Sequence, residues 1–439
     1  MGQKININLQ HVTRVEGHGN IIVNATNGKL ERCEWQVPES PRFFESMVRG
    51  RHFPEIARIT SRICGICSVG HQLASVKATE KALGIEISEQ TDKLRRLLKH
   101  GENFDSHILH VYFLVAPDLL GVSSVMPLAA SHPEVVKRAL AMKGVGSRWS
   151  GIICGRSTHP VRIVPGGFSK LPTKAELLEL KKLILDTVPD VKATAETLQS
   201  LADRIPAFER KTEYVGLVDS VEYGLYDGRI GCLMPDGQRT LLNVEEYRSV
   251  TNEWVSPLST AKYTRHQMDS YMVGALARIN LNFQQLHPEA KKVAESLGFS
   301  VPCYNPYMNT VAQFIEAVHS AYAGLDLIDS LLDAGLREEE VPPIQPRAGR
   351  GVGAVDVPRG ILFHDYEYDE SGLCLSANCI IPTNQNHANI QCDMDQLVPA
   401  MIRSNKSQAE MELSLEMLVR AYDPCISCST HYLDITFVK

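Results

Sequence analysis

The chain has 439 residues, with 45 Lys and Arg against 51 Asp and Glu for a formal net charge of −6, and 44% of its residues are hydrophobic. That length supplies about three domains' worth of chain or one large core with insertions, and the hydrophobic content excludes disorder. Mild acidity without any long Lys/Arg block removes the electrostatic footprint of a nucleic-acid binder.

In chain order, the start Met1-Gly2-Gln3-Lys4 lacks the apolar h-region of a signal peptide, so the chain is expected to begin near residue 1. Residues 4–37 alternate apolar and polar positions around Asn27-Gly28, which predicts a β-hairpin with a tight turn. Helical periodicity runs from Glu55 to Leu83 and from Asp92 to Val115. The most apolar stretch, His107 to Ala130, contains His110, Pro117, Asp118 and Pro127, so it reads as buried core and not as a membrane span. Thr173 to Ile205 is again helical, with Glu176, Glu179 and Lys181-Lys182 on a solvated face.

From Glu213 to Lys262 the period switches to two, with Asp227-Gly228 and Asp236-Gly237 as hairpin turns. Helices are predicted over Arg265–Leu297, Thr310–Leu336 and Asp395–Tyr422, and the Pro/Gly-rich stretch Val341 to Pro382 reads as irregular. No internal repeat or low-complexity linker appears. The expectation is therefore one predominantly helical α+β body over residues 1–439, with β-elements at 4–37 and 213–262 and a short tail at 432–439.

Eleven cysteines, an odd number in a chain with an ordinary core, argue against a secreted disulfide framework and for a reducing, cytoplasmic setting in which some thiols are ligands. Two pairs stand out, Arg62-Ile63-Cys64-Gly65-Ile66-Cys67 and Asp423-Pro424-Cys425-Ile426-Ser427-Cys428. Each Cys-x-x-Cys lets two thiolates converge, and two pairs supply four sulfur ligands for zinc, iron-sulfur or nickel. About 360 residues separate the pairs, so a site joining them is assembled by a large fold and does not staple a small one. Spacing alone leaves a catalytic metal centre, structural zinc and redox dithiols open.

The flanks decide among these. Arg62 to His71 and Asp423 to His431 closely resemble the two signature motifs of the large subunit of nickel-iron hydrogenases, and both motifs are complete. The resemblance extends to Thr13-Arg14-Val15-Glu16-Gly17-His18, to His107-Ile108-Leu109-His110 leading to Asp118, to Pro358-Arg359-Gly360 and to Ile381-Pro382-Thr383, in family order. The short chain and its motif variants look most like the multi-subunit, cofactor-coupled cytoplasmic type.

That resemblance implies that Cys64, Cys67, Cys425 and Cys428 bind nickel. Cys67 and Cys428 would also bridge to an iron carrying carbon monoxide and cyanide. Dihydrogen would be split heterolytically, with Cys425 the first proton acceptor and Glu16 the next, a carboxyl suited to the task if burial raises its pKa. Arg359 would lie over the open metal position with Asp118 holding its guanidinium. Pro358, Pro382 and Thr383 would line the iron's diatomic ligands, Thr383 donating to cyanide. Glu45, a backbone carbonyl near Cys379, and His431 would bind a structural magnesium or iron.

Iron-sulfur clusters would belong to a partner small subunit, since no further cysteine spacing here resembles a relay. Further subunits would link to flavin, nicotinamide, ferredoxin, deazaflavin or heterodisulfide reductase, and a maturation protease would act after His431. Neither nucleic acid nor a transmembrane segment is expected. The rivals are a metal-free relative of the respiratory quinone-site subunit, which lacks the four cysteines, and a structural-zinc assembly protein.

Other features read as architecture. His71, His107 and His110 sit at helical spacings and are expected to be core histidines. Cys33, Cys154, Cys232, Cys303, Cys374, Cys379 and Cys392 are expected to be buried apolar thiols. Gly349 to Ala354 matches a dinucleotide fingerprint, but it follows Pro342-Pro343 and Pro346 and precedes Pro358, so no Rossmann turn is expected. Asp356-Val357 replaces the Glu-Ala that many relatives carry before Pro-Arg.

Overall fold

Asn27 and Gly28 both take positive φ, 53° and 77°, the conformation that a two-residue hairpin turn requires. They join the strands Asn20–Thr26 and Lys29–Gln36, and Lys4–Leu9 pairs antiparallel on the other side of Asn20–Thr26. The alternation seen in the sequence puts Ile5, Ile7, Ile21, Val23 and Trp35 into the core from this sheet. The computed structural model describes residues 4–341 and 343–430. His431 and the tail at 432–439 lie outside the described residues.

The single helix expected over Glu55–Leu83 is broken at the first cysteine pair. Phe53–Thr60 runs into a 3-10 turn at Ser61–Ile63, Cys64 is extended (φ −139°, ψ 143°), and Cys67 caps a new helix, Ser68–Leu83. The second helix begins at Glu89, where the Ser88 hydroxyl accepts from Thr91 N at 3.0 Å, and passes at His110–Val115 into a π-helical turn. It packs between Pro133–Cys154 and Asn309–Ala334 to make the helical core.

Thr173–Ile205 divides into Lys174–Asp186 and Val188–Ser200, with Pro189 in the first turn of the second helix. Glu176 does more than face solvent: Thr173 N donates to its carboxylate at 2.7 Å while Thr173 Oγ1 accepts from Glu176 N at 3.2 Å, closing a capping box.

The β-rich stretch is present as Glu213–Val218, Arg229–Leu233 and Arg239–Leu242, with Tyr271–Met272 added in parallel beside Glu213. Asp236-Gly237 turns the second hairpin, but Asp227-Gly228 only ends the longer loop 219–228. In place of one helical stretch over Arg265–Leu297 the chain forms that parallel strand and the helices Ala275–Asn282 and Pro288–Ser296. Pro382–Arg403 and Gln408–Ala421 are likewise separate helices where Asp395–Tyr422 reads as one.

The largest departure from the sequence reading lies within Val341–Pro382: residues 341 and 343–348 are irregular as expected, but the rest is not. Gly349–Val357, Gly360–Tyr368 and Cys374–Ile380 form a three-stranded antiparallel sheet lying on the helix Ser68–Leu83. A Cβ on Gly349, Gly351 or Gly353 would stand 2.2, 2.2 and 2.1 Å from the carbonyl oxygens of Ala82, Ala78 and Ala74. Alternate strand positions therefore meet alanines one helical turn apart. Glycine-rich composition here marks backbone-to-backbone approach and not a loop, and the fingerprint-like run is itself a strand. No helix among the described residues is long and apolar enough to cross a membrane.

Gly353→Ala is expected to destabilise the chain by about 2 kcal/mol or more, because its Cβ meets backbone that cannot move aside. Gly151→Ala, in a helix with nothing within 4 Å of the new atom, should be neutral or gain up to about 1 kcal/mol. Denaturant midpoints of the two variants measure the difference.

Buried histidines set a second expectation. His387 accepts from Trp35 Nε1 at 3.1 Å and donates through Nε2 to Ser429 Oγ at 3.0 Å, so it is held in one neutral tautomer. Burial pushes its pKa down to about 3, and those of His71, His107 and His319 down to about 4. The unfolded chain takes up these protons first, so their contribution is complete above the free-histidine value of 6.5 and is lost as pH falls toward 4 and 3. His387→Gln, which keeps an acceptor for Trp35, should show a shallower loss of unfolding midpoint between pH 6.5 and 4 than the wild type.

Candidate metal centre

The two cysteine pairs, distant in sequence, meet in the interior. Cys64 and Cys425 sulfurs are 3.5 Å apart, and the sulfurs of Cys64, Cys67 and Cys428 lie within 4.8 Å of one another. All four residues are buried. Cys67 stands at the N-cap of the 16-residue helix Ser68–Leu83, where the positive end of the helix dipole favours a thiolate.

Backbone and arginine contacts bring the pairs together. Glu16 N donates to Pro424 O at 3.4 Å and Ile426 N donates to Glu16 O at 2.9 Å, so the front Arg-x-Glu-Gly-His segment pairs like a strand with the C-terminal motif. Gly17 has φ +85°, and a Cβ there would sit 2.8 Å from Ser427 N. Only glycine allows that approach. Arg42 donates to Ile63 O at 2.5 Å and to Ser427 O at 2.6 Å, tying one cysteine motif to the other.

Four buried thiols in contact cannot all ionise by themselves. Hydrogen bonds from Cys425, Cys428 and Cys67 hold the Cys64 thiol well below its ordinary pKa. Those shared with Cys428 and Cys64 hold Cys425 well above, Cys67 rises although its bond with Cys425 opposes this, and burial leads the rise at Cys428. A divalent cation would supply the missing countercharge, and four soft donors suit nickel or iron. His71 adds a buried Nε2 with no hydrogen-bond partner among the described residues, on a ring that feels the Cys64 charge. The residues fit a thiolate-bound metal group.

Around the sulfurs, Glu16 is half-buried. Its Oε2 lies 3.2 Å from Cys425 Sγ and accepts Ser427 N at 3.1 Å, while Ser427 Oγ donates to Oε1. Thr383, at the start of the helix Pro382–Arg403, accepts Cys425 N at 3.0 Å. Arg359 follows Pro358 in the turn between the first two strands of the C-terminal sheet, and it is 4% exposed.

The expected partner of Arg359 requires correction. Asp118 takes no contact with it; its carboxylate accepts from Arg14 and, at 3.0 and 3.1 Å, from Arg420. Asp423 holds Arg359 instead, through Nη2 to its carboxylate at 2.7 Å and Nε to its backbone oxygen at 2.6 Å. Asp423 has φ +50°, and that turn presents carbonyl and carboxylate together to one planar fork. Against the cost of burial, Asp423 and the sulfurs of Cys425, Cys67 and Cys64 keep the guanidinium charged.

Behind Arg359 lies Arg278, buried and unassigned by sequence. It donates to Glu316 at 2.7 and 2.6 Å, to Asp356 at 2.5 Å, and to the carbonyls of Val357 and Pro358 at 2.8 and 2.9 Å. Asp356 also accepts Leu217 N at 2.8 Å. Burial pushes its carboxyl up to about 6 although Arg278 opposes the rise. No motif pointed to Arg278 or Glu316. Asp423 stood inside one without an assigned role.

Glu45 lies apart from the sulfurs in a small cavity with Glu253, Lys262 and Asn384. It accepts Cys379 N at 2.7 Å, so that residue's amide, not a carbonyl, faces it, and burial pushes its carboxyl up to about 7. His107 and His110 are core groups bonded to Glu316 at 2.8 Å and to Arg420 O at 2.7 Å. Of the seven remaining cysteines, Cys33, Cys303 and Cys392 are only half-buried.

A family model described as nickel-dependent hydrogenase matches residues 42–138 and 215–431, and one described as HoxL-like matches 6–40. The alpha subunit of sulfhydrogenase 2 of Pyrococcus furiosus is 33% identical, over 98% of this chain and 100% of its own length. The F420-non-reducing hydrogenase vhc of Methanococcus voltae contains a relative 30% identical over 97% of this chain and 94% of its own. The crystal structure of an NAD+-reducing [NiFe]-hydrogenase in the H2-reduced state superposes with a TM-score of 0.88 at 26% identity, covering 97% of this chain and 99% of that one. With both cysteine motifs joined in one buried sulfur cluster, the chain belongs to the nickel-dependent hydrogenase large-subunit family and is the catalytic subunit of a nickel-iron hydrogenase.

Proposed function

We propose that Cys64, Cys67, Cys425 and Cys428 would hold nickel, that Cys67 and Cys428 would also hold an iron bearing carbon monoxide and cyanide, and that residues 1–439 act as one catalytic domain around this group. The observation that carries the reading is the contact of Glu16 Oε2 with Cys425 Sγ at 3.2 Å inside the four-thiol cluster. When bound, the metal group supplies heterolytic cleavage of dihydrogen, and its electrons leave through iron-sulfur clusters on a partner small subunit.

The side chains handle the proton. The Cys425 thiolate accepts it and passes it to Glu16 Oε2, a carboxylate kept in line by the Ser427 amide and hydroxyl. Being half-buried, Glu16 faces sulfur on one side and is partly open to solvent. Arg359 places a fixed positive charge beside the anionic sulfurs. Thr383 Oγ1, having accepted the Cys425 amide, keeps its own proton, which it would donate to cyanide. Pro358 and Pro382 would give the diatomic ligands an apolar wall. Glu45, whose Oε1 accepts the Cys379 amide, would hold magnesium or iron with His431.

Relatives named as alpha subunits of sulfhydrogenases and as the beta subunit of an NAD-reducing hydrogenase support a multi-subunit assembly with an electron-transfer module, and the cysteine usage supports a reducing, cytoplasmic setting. A maturation protease acting after His431 belongs to the same reading.

Cys425→Ser in the assembled complex should abolish hydrogen-dependent dye reduction. Glu16→Gln, which keeps an acceptor for the Ser427 amide but cannot relay a proton, should lower it about 10²- to 10⁴-fold. Nickel content and the infrared stretches of carbon monoxide and cyanide should be unchanged in Glu16→Gln. Full activity in Cys425→Ser would remove the ligand assignment.

The two aspartates separate by role. Asp423→Asn weakens the hold on Arg359 and should lower activity about 10²-fold with nickel retained. Asp118→Asn loosens Arg14 and Arg420 and should lower the melting temperature while activity of the folded fraction changes less than about threefold. Equal activity losses from both would show that Arg359 is not positioned by Asp423 alone.

A further inference from the structure

We propose that Glu213, Cys232 and His266 form a second metal site, separate from the four-cysteine centre, that takes a zinc-class divalent cation as a structural clamp. One ligand atom from each of the three lies within 4.8 Å of the others. The register explains why. Cys232 pairs with Val215 across the strands Glu213–Val218 and Arg229–Leu233, so Glu213 is its diagonal neighbour on the same face. His266 directly follows the strand Tyr263–Arg265 and folds back with Nδ1 2.6 Å from Glu213 Oε1.

The donor set points to a cation. Glu213 and Cys232 are 0% and 1% exposed, while the His266 side chain is 12% exposed. An ion pair between Glu213 and His266 needs no sulfur; valine or alanine would fill the place of Cys232 without setting a thiol against a carboxylate. Sulfur, imidazole and carboxylate together are ligands that zinc accepts, and three of them leave a fourth, tetrahedral position for water on the side of His266. The charges also close. One thiolate, one carboxylate and a neutral imidazole neutralise a divalent ion, so the occupied site carries no net charge into the core. Burial, helped by the Glu213 carboxylate, pushes the free Cys232 thiol up to about 12. Binding therefore releases the thiol proton, with any proton held between His266 and Glu213, to solvent and changes no oxidation state.

The clamp has a definite load. Glu213 also accepts Gln267 N at 3.2 Å and lies opposite Tyr271 in the parallel strand pair. The segment 266–271 is thus fastened at both ends to one residue. Two residues beyond Met272, Gly274 (φ +117°) abuts the backbone of Arg359: a Cβ there would lie 3.2 Å from the Arg359 carbonyl oxygen. A cation at Glu213 would stiffen the strand on which the turn bearing Arg359 rests.

The test uses the assembled, matured complex, dialysed anaerobically against a mild chelator and then against equimolar zinc, with zinc and nickel measured on the same sample. The wild type should hold one zinc for each nickel. Cys232→Ser and Glu213→Gln should each lose at least tenfold of the zinc while keeping nickel and the carbon monoxide and cyanide bands, which also report a folded chain. Wild-type zinc no higher than in Cys232→Ser overturns the site. Should a variant fail to mature, one equivalent of cobalt(II) added to the wild-type complex, whose four-cysteine centre is already occupied, decides: a thiolate-to-cobalt absorption band is expected, and its absence overturns the proposal. Loss of the infrared bands from the wild type would count against the nickel-iron reading and leave this one to the zinc measurement.

Discussion

One buried guanidinium organises the interior. Every N–H of Arg278 is used: two on Glu316 of the long core helix, one on Asp356, and one each on the carbonyls of Val357 and Pro358. Lysine could not reproduce the fork. Such a network is a weak source of net stability, because desolvation offsets most of the attraction, but removing one member leaves an uncompensated charge at a cost of about 3–5 kcal/mol. Its value here is geometric. The last residues of the strand Gly349–Val357 and the proline after it are fixed by their carbonyls, so Arg359 emerges from a turn that cannot drift. Glu316 extends the tie to His107 and to the Tyr223 hydroxyl at 2.5 Å, joining helical core to sheet.

The electrostatics of the sulfur cluster follow from that placement. Arg359 sits among thiols whose ionisation it favours, and Asp423 balances it without competing for the sulfurs, because its Oδ1 and backbone oxygen are taken by the guanidinium and its Oδ2 by Gln313 Nε2 at 3.0 Å. Glu16 enters from the opposite chain end on a backbone pairing that also fixes Ile426. Positive charge and proton acceptor thus reach the same sulfurs from separate elements, each anchored independently.

The chemistry was legible in the sequence because metal ligands come as motifs with fixed spacing, and the hairpin at Asn27-Gly28 because positive φ restricts residue choice. What was not legible depended on partners far along the chain. Gly349, Gly351 and Gly353 look like loop residues until the alanines at Ala74, Ala78 and Ala82 are seen against them. Asp118 and Asp423 are equally acidic on paper, and only the turn at Asp423 shows which faces Arg359. One helix break was missed at Cys64–Cys67, where ligand placement overrides the apolar period that runs through them. Arg278 lay in an apolar helical pattern and carried no local signal at all.

The pairing of Glu16 with Cys425 has a consequence for how the molecule comes into being. A chain made from its N-terminus presents Glu16, Arg42, Cys64 and Cys67 hundreds of residues before their counterparts exist. The front half of the pocket is therefore an open cup during synthesis, and residues 424–428 are its closing edge. Closure brings the last two sulfurs, the backbone partner of Glu16 and the aspartate that steadies Arg359 in one movement. Order of assembly is written into the topology: the front half of the pocket is made first, and the edge at 424–428 is the last piece to close it.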